Sequence, residues 1–247
     1  MDVEIVQIDI GGCSQWGDEN TPNLIRQYCM PSVERYAQRF NYKYTLVKES
    51  TYAEKIGPLD FLMTKAKHYS FERYLRLKTK HDAVVYIDND VYIKNDADML
   101  PEIDGIMAAR EPGKTDSQKL FTILNNLDRE TSYYNSGVIM ADKFSAQEIC
   151  DYMVYRAKNH IKAKGKNTDN MMFNEYLLER KPHFLELTEH WNYMPMLNGS
   201  TKSLNSNFMH LVGVHGKEFL KKLSLVNMPM ANLLENIANG KIKVDVA

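Results

Sequence analysis

The chain has only three cysteines, Cys13, Cys29 and Cys150, and no two of them form a CxxC pair. An odd set with such spacing argues against a disulfide framework and points to buried or free thiols in a reducing compartment. Long apolar runs are missing too: no stretch approaches the roughly 18 uncharged residues of a membrane span. The first ten residues carry Asp2 and Glu4 where a secretory leader would carry positive charge. The expectation from these absences is a cytoplasmic protein with no transmembrane segment. An excess of one charge is also absent, since 31 Lys and Arg against 32 Asp and Glu leave a net charge of -1. Broad nucleic-acid binding needs clustered cations to displace counterions, so no nucleic-acid partner is expected. Internal repeats and low-complexity linkers are lacking, and 247 residues suit one α/β domain with, at most, a small appendage.

What is present is an alternation of β-rich and helical segments. Residues 3–10 read as a first buried strand ended by Gly11-Gly12, and 42–47 alternate as a second. Between them Thr21-Pro22-Asn23 signals a helix start, followed by Val33, Tyr36, Ala37 and Phe40 at helical spacing. Gly57-Pro58 breaks the chain before a helical stretch at about 60–80. Residues 83–87 form the clearest buried strand, with further strands at 103–109 and 137–141 and helices near 117–127, 145–158 and 169–180. Such alternation predicts a mostly parallel central sheet flanked by helices, with ligands beyond the carboxyl ends of its strands. Residues 1–225 are expected to form the catalytic domain and 226–247 a helical tail. In that tail Met230, Leu233, Leu234 and Ile237 suit docking on the body, and a partner-binding or membrane-surface face is the alternative.

Four apolar residues, Val84 to Ile87, run straight into Asp88-Asn89-Asp90. In an extended segment side chains at i and i+2 share a face, so both carboxylates can converge at the strand end. Two such groups repel, and a hard divalent cation with oxygen ligands relieves the repulsion. The plain alternative is an acidic turn whose carboxylates cap backbone N–H groups. Taken alone the pattern is common; the segments that follow it in order give it weight.

At this point the sequence resembles the GT-A glycosyltransferases, and among them the retaining family typified by glycogenin and the bacterial lipopolysaccharide galactosyltransferases. The likeness is carried by the strand and acidic pair Val84 to Val91, by Tyr134-Asn135-Ser136-Gly137-Val138-Ile139-Met140, by Thr168-Asp169-Asn170-Met171-Met172-Phe173-Asn174, and by Phe208-Met209-His210-Leu211-Val212-Gly213 with Lys217 beyond. Trp191-Asn192 stands where that family often has a tryptophan-asparagine pair. Asn170 replaces its usual glutamine, Lys217 comes one residue late, and Glu218-Phe219 stand in place of proline-tryptophan.

The resemblance implies transfer of a hexose from a nucleotide-diphosphate sugar, UDP-linked in the first instance, to a glycan or lipid-linked saccharide with retention. It implies Mn²⁺ or Mg²⁺ on Asp88, Asp90 and His210, with His215 as the competing histidine. Lys217 would meet the β-phosphate or be a solvated helix residue; Arg73 and Lys65 are weaker diphosphate candidates. Ile8, Asp9 and Ile10 lie where base and ribose would sit, although Asp9 alternatively caps a turn, and Asn89 is a further donor-binding candidate. Asp169 and Asn170 would face the donor sugar as catalytic groups, and Asp169 also fits an N-cap. Asn135, Ser136 and Trp191 would position the sugars, Trp191 on the acceptor side. A covalent intermediate and front-side attack both remain open. Two rivals stand beside this reading: a haloacid-dehalogenase-like phosphatase, which lacks its usual GDxxxD here, and a non-catalytic nucleotide- or glycan-binding module.

Overall fold

The computed structural model describes residues 1–10, 25–51, 55, 65–113, 115–159, 169–195, 205–211 and 228–241, with backbone alone at 65–70 and 169. The helix-start signal Thr21-Pro22-Asn23 and the Gly57-Pro58 break lie outside these residues.

A six-stranded sheet runs in the order β2 (Lys43–Val47), β1 (Val3–Ile8), β3 (Ala83–Ile87), β6 (Tyr134–Asp142), β5 (Ile106–Arg110), β7 (Phe184–Leu187). The neighbours β1 and β2, β1 and β3, and β5 and β7 are parallel, whereas β6 is antiparallel to both β3 and β5. The expected mostly parallel sheet is therefore present with one reversed strand. The reversal has a local cause. The chain leaves β5 at Arg110, makes helix α3 (Asp116–Leu124), and re-enters at Tyr134 directly opposite Arg110. The beginning of β6 thus lies at the same sheet end as the carboxyl ends of β3 and β5.

Helices cover both faces. On one, α2 (Lys65–Arg76), α4 (Lys143–Lys158) and α5 (Asp169–Arg180) bury Tyr74, Leu75, Ile149, Met153, Phe173 and Tyr176 against alternate strand residues such as Val84, Tyr86 and Ile139. On the other, α1 (Met30–Arg39) inserts Val33, Tyr36 and Ala37 against Val85, Ile87 and Met140. All five residues of β3 are buried, as a strand covered on both faces requires. A short antiparallel ribbon of β4 (Val91–Ile93) and β8 (Phe208–His210) lies over the α1 face. The tail forms helix α6 (Met230–Ala238), which packs Leu233, Leu234 and Ile237 against Tyr92 and Met209 of that ribbon, while Tyr92 donates to Glu235 at 2.7 Å. Among the described residues no helix is long and apolar enough to cross a membrane.

Two expectations needed revision. The strand β7 went unanticipated because only Leu187 of its four residues is buried, so no alternation marks it. And Asp88 to Asp90 is not extended: Val91 N–H donates to the Asp88 carbonyl at 3.2 Å, closing a turn.

Asp142 joins β6 to α4. Its carboxylate accepts from the N–H groups of Phe144, Ser145 and Gly105, and from the Ser145 hydroxyl, at 2.7–2.9 Å. Burial pushes its pKa up, but these donors outweigh burial and hold it below the usual carboxylate value. Its contribution to stability is therefore complete above the ordinary carboxylate range and is lost as pH falls through the depressed native value. Asp142→Ala is expected to cost about 1–2 kcal/mol in denaturant unfolding at neutral pH. The gap from the parent protein should close on acidification below about pH 4.

Candidate active site

The site lies where β1, β3 and β5 end and β6 begins. The turn after β3 carries Asp88-Asn89-Asp90, and β4 continues from it to pair with β8 in a register that sets Val91 opposite His210. Leu211 N–H donates to the Asp90 carbonyl at 3.0 Å, which pins the histidine strand to the acidic turn. His210 Nε2 thereby stands 3.1 Å from Asp90 Oδ1 and 3.8 Å from Asp88 Oδ2. One ligand atom from each of the three residues falls within 4.8 Å of the others, with Asp90 and His210 buried. The carboxylates do converge, through a tight turn and not through strand pleating.

The electrostatics of this group are demanding. Burial alone would lower the affinity of His210 for its proton, but the neighbouring Asp90 and then Asp88 outweigh burial and raise its pKa above the usual imidazole value. Two acids and an imidazole around one point form an oxygen-rich donor set suited to a borderline divalent cation such as Mn²⁺. Gly137 of β6 makes room for this arrangement. A Cβ there would lie 2.1 Å from His210 Cε1 and 2.8 Å from its Nδ1, so the imidazole rests directly on glycine backbone.

Asp88 is held from behind. Arg73 on α2 contacts its Oδ1 at 3.2 Å, Tyr86 donates to the same oxygen at 2.5 Å, and the guanidinium lies 4.9 Å above the Tyr86 ring. Arg73 also donates to the carbonyl and hydroxyl oxygens of Ser136, both at 2.9 Å, and is itself buried. It joins α2, β6 and the acidic turn.

At the end of β1, Asn89 donates to the Ile8 carbonyl at 2.5 Å, and its buried Oδ1 has no hydrogen-bond partner among the described residues. Asp9 is bound by Arg26 at 3.0 and 3.1 Å, from a π-helical turn at Ile25–Cys29, and Ile10 packs partly buried at the edge of the core. Arg26 had not been singled out in the sequence; no spacing marks it.

The start of β6 and the start of α5 meet through side-chain amides. Asn170 Oδ1 accepts from Ser136 N–H at 2.9 Å and from the Ser136 hydroxyl, and its Nδ2 donates to Glu111 Oε1 at 2.6 Å. Asn135 Nδ2 donates to the same Glu111 oxygen at 3.3 Å, and Asn174 bridges the backbone of Tyr134 and Asn170. Glu111, buried at the end of β5, also accepts from Thr115 Oγ1 at 2.9 Å. Sequence reasoning missed it, although an acid just after an apolar strand is the same signal that marks Asp88.

Asp169 opens α5, but its side chain, like that of Lys65, is outside the description, as are His215 and Lys217. Trp191 is not brought to the carboxylates. It ends a 3₁₀ turn (Glu189–Trp191) with its ring 5.3 Å from Phe208 at 78°, packed on the core, and the next residue, Asn192, is the one that reaches His210.

With the geometry in view, comparisons place the chain. A model of glycosyl transferase family 8 matches residues 24–215. The glycosyltransferase involved in glycosylation of the major capsid of PBCV-1 aligns with a TM-score of 0.58 at 13% identity, over 92% of this chain and 100% of that one. An active-site mutant of LgtC aligns with a TM-score of 0.51 at 12% identity, over 95% and 99%. The galactosyltransferase LgtC in complex with donor and acceptor sugar analogs scores 0.49 at 13% identity, over 95% and 100%. At such identities the likeness concerns the fold. A search of curated protein sequences finds no match.

The contact at Gly137 gives a direct test. Gly137→Ala should displace the imidazole and weaken Mn²⁺ binding about tenfold or more in an electron paramagnetic resonance titration, with the circular dichroism spectrum unchanged.

Proposed function

The chain belongs to glycosyl transferase family 8 and is a glycosyltransferase of GT-A fold; we propose that it uses a divalent metal to transfer a hexose from a UDP-sugar to a hydroxyl of a glycan or lipid-linked saccharide, with retention. Family membership sets aside the phosphatase and the non-catalytic module. The observation that carries the metal requirement is the convergence of Asp88, Asp90 and His210.

In this reading those three residues hold Mn²⁺ (or Mg²⁺), whose chemistry is to neutralise the departing diphosphate. Arg73 orients Asp88 from behind, because its guanidinium is already committed to Ser136 and Asp88. The nucleotide lies over Ile8, Asp9 and Ile10, with the orphaned Asn89 oxygen as an acceptor close by. Lys217 supplies a point charge to the β-phosphate. The donor sugar rests on Asn135, Ser136 and Asn170, which meet at the start of β6, and on Asp169. Carboxylate or amide oxygens there stabilise the oxocarbenium-like transition state, as glycosyl transfer requires. Trp191 supports β8 and is given no sugar contact, since its ring packs on Phe208.

Asp90→Asn is expected to reduce turnover of a UDP-hexose by more than a hundredfold while the cooperative unfolding transition survives. Equal turnover by this variant, or by the parent protein in chelator, would refute the metal reading. UDP with Mn²⁺ should raise the melting temperature more than UDP alone, since a ligand at 100 times its Kd stabilises the native state by about 2.7 kcal/mol. Proton NMR of the product should show an α-anomer from an α-linked donor; a β-anomer would reject retention.

A further inference from the structure

The β4–β8 ribbon presents Asp90 and His210, yet it has little of its own to hold it in place. It consists of two strands of 3 residues each, drawn from distant parts of the chain. Two strands alone are marginally stable in water, so the shape of the ribbon depends on what covers its faces. On the sheet side Val91, Ile93 and Phe208 are buried with Val85, Ile87 and Met140, and His210 rests on Gly137. On the opposite side Tyr92 and Met209 are buried with Leu233, Leu234 and Ile237 of the tail helix α6. Ile25, Cys29 and Met30, around the π-helical turn that brings Arg26 to Asp9, belong to the same apolar cluster.

Helix α6 also grips both strands through polar contacts. Glu235 accepts from the Tyr92 hydroxyl at 2.7 Å and from Asn95 N–H, just past the end of β4, at 3.1 Å. At the carboxyl end of the helix the Ala238 carbonyl, free of the helical ladder, accepts from Ser206 N–H just before β8 at 2.8 Å. The register pairs Val91 with His210 and Ile93 with Phe208, so Asn95 and Ser206 lie at the ribbon end remote from the acids. The near end is closed by Leu211 N–H on the Asp90 carbonyl. Held at both ends and covered on both faces, the ribbon has one position on the sheet.

We propose that Glu235 is a positioning residue for the metal site: by clamping α6 onto β4 it presses the ribbon against the sheet and keeps Asp90 and His210 at the separation a divalent cation requires. The inference rests on the metal reading above for its purpose, whereas the clamp itself stands on the hydrogen bonds and burial just described. Metal ligands bind tightly only when the groups behind them keep their donor atoms in place, and such groups contribute about 10–100-fold to affinity. Glu235 acts one step further back, through Tyr92 and the backbone of β4, so the lower end of that range is expected. A carboxylate suits the position because it accepts from a hydroxyl and a backbone N–H at once.

The test uses the full chain, with backbone hydrogen exchange measured free of metal and Mn²⁺ affinity measured by electron paramagnetic resonance titration. In Glu235→Ala the amides of Ile93, His210 and Leu211 should exchange faster while those of Val85 and Met140, in the central sheet, keep the parent rates. The same variant should bind Mn²⁺ about tenfold more weakly. Glu235→Gln, which retains an acceptor oxygen, should stay close to the parent in both measurements. Equal Mn²⁺ affinity in the parent and Glu235→Ala overturns the proposal and leaves the metal reading standing. Exchange accelerated alike in the ribbon and at Val85 and Met140 also overturns it, since that marks a loss of global stability alone. Should Glu235→Ala not fold, Tyr92→Phe decides: faster ribbon exchange with weaker Mn²⁺ binding supports the clamp, and parent values for both overturn it. A parent protein that binds no Mn²⁺ would sink the metal reading and, with it, the purpose assigned to Glu235.

Discussion

The imidazole of His210 lies directly against the backbone of Gly137, and the site is built around that contact. It holds the β4–β8 ribbon to the central sheet at the point where both acidic side chains emerge. A methyl group at residue 137 would fall 2.1 Å from the ring, a distance that real structures do not tolerate, so the position admits glycine alone without rearrangement. Close packing of this kind fixes a donor atom to within a few tenths of an ångström, the tolerance that metal geometry demands.

Two chains of polar contacts run from Glu111 to the acidic pair. One passes through Asn135, Asn192 and His210 to Asp90; the other passes through Asn170, Ser136 and Arg73 to Asp88. Each link is a side chain whose partner limits which way it can point. A closed network of this sort stores little net stability, because each bond replaces one to water. Its effect is preorganisation: Asp88, Asp90 and His210 are tied to the same frame as Asn135, Ser136 and Asn170, so their geometry does not have to be assembled when a ligand arrives. The placement of Asn170 follows from the same frame. With both ends of its amide engaged, its side chain organises Ser136 and Glu111.

The reversed strand β6 is what makes this frame possible. In a fully parallel sheet the residues at the ligand end come from strand termini leading into helices. Here Asn135 and Ser136 come from a strand beginning, so the chain can run on through Gly137 beneath the histidine and along the length of the sheet to Asp142. The helix-capping carboxylate at its far end then turns the chain into α4.

Much of this was legible in the linear chain. The run from Val84 to Ile87 into Asp88, the helix at 169–180 and the tail helix all follow from local rules: apolar periodicity and acids after a strand. These depend on neighbours within a few residues, so the order of side chains suffices to determine them. Other features depend on residues far apart in the chain. The turn at Asp88 to Asp90 forms because β4 leaves the sheet to pair with a strand more than a hundred residues later, and the histidine meets Asn192, which is itself bonded to Asn135 across 57 positions. β7 has no pattern of its own and exists because β5 offers an edge. Glu111 and Arg26 look like ordinary surface charges until folding buries one and sets the other against Asp9. The chemical inventory was thus written in the chain itself, whereas the partner of each group, and the direction of each hydrogen bond, was decided only when packing left those groups no water to choose instead.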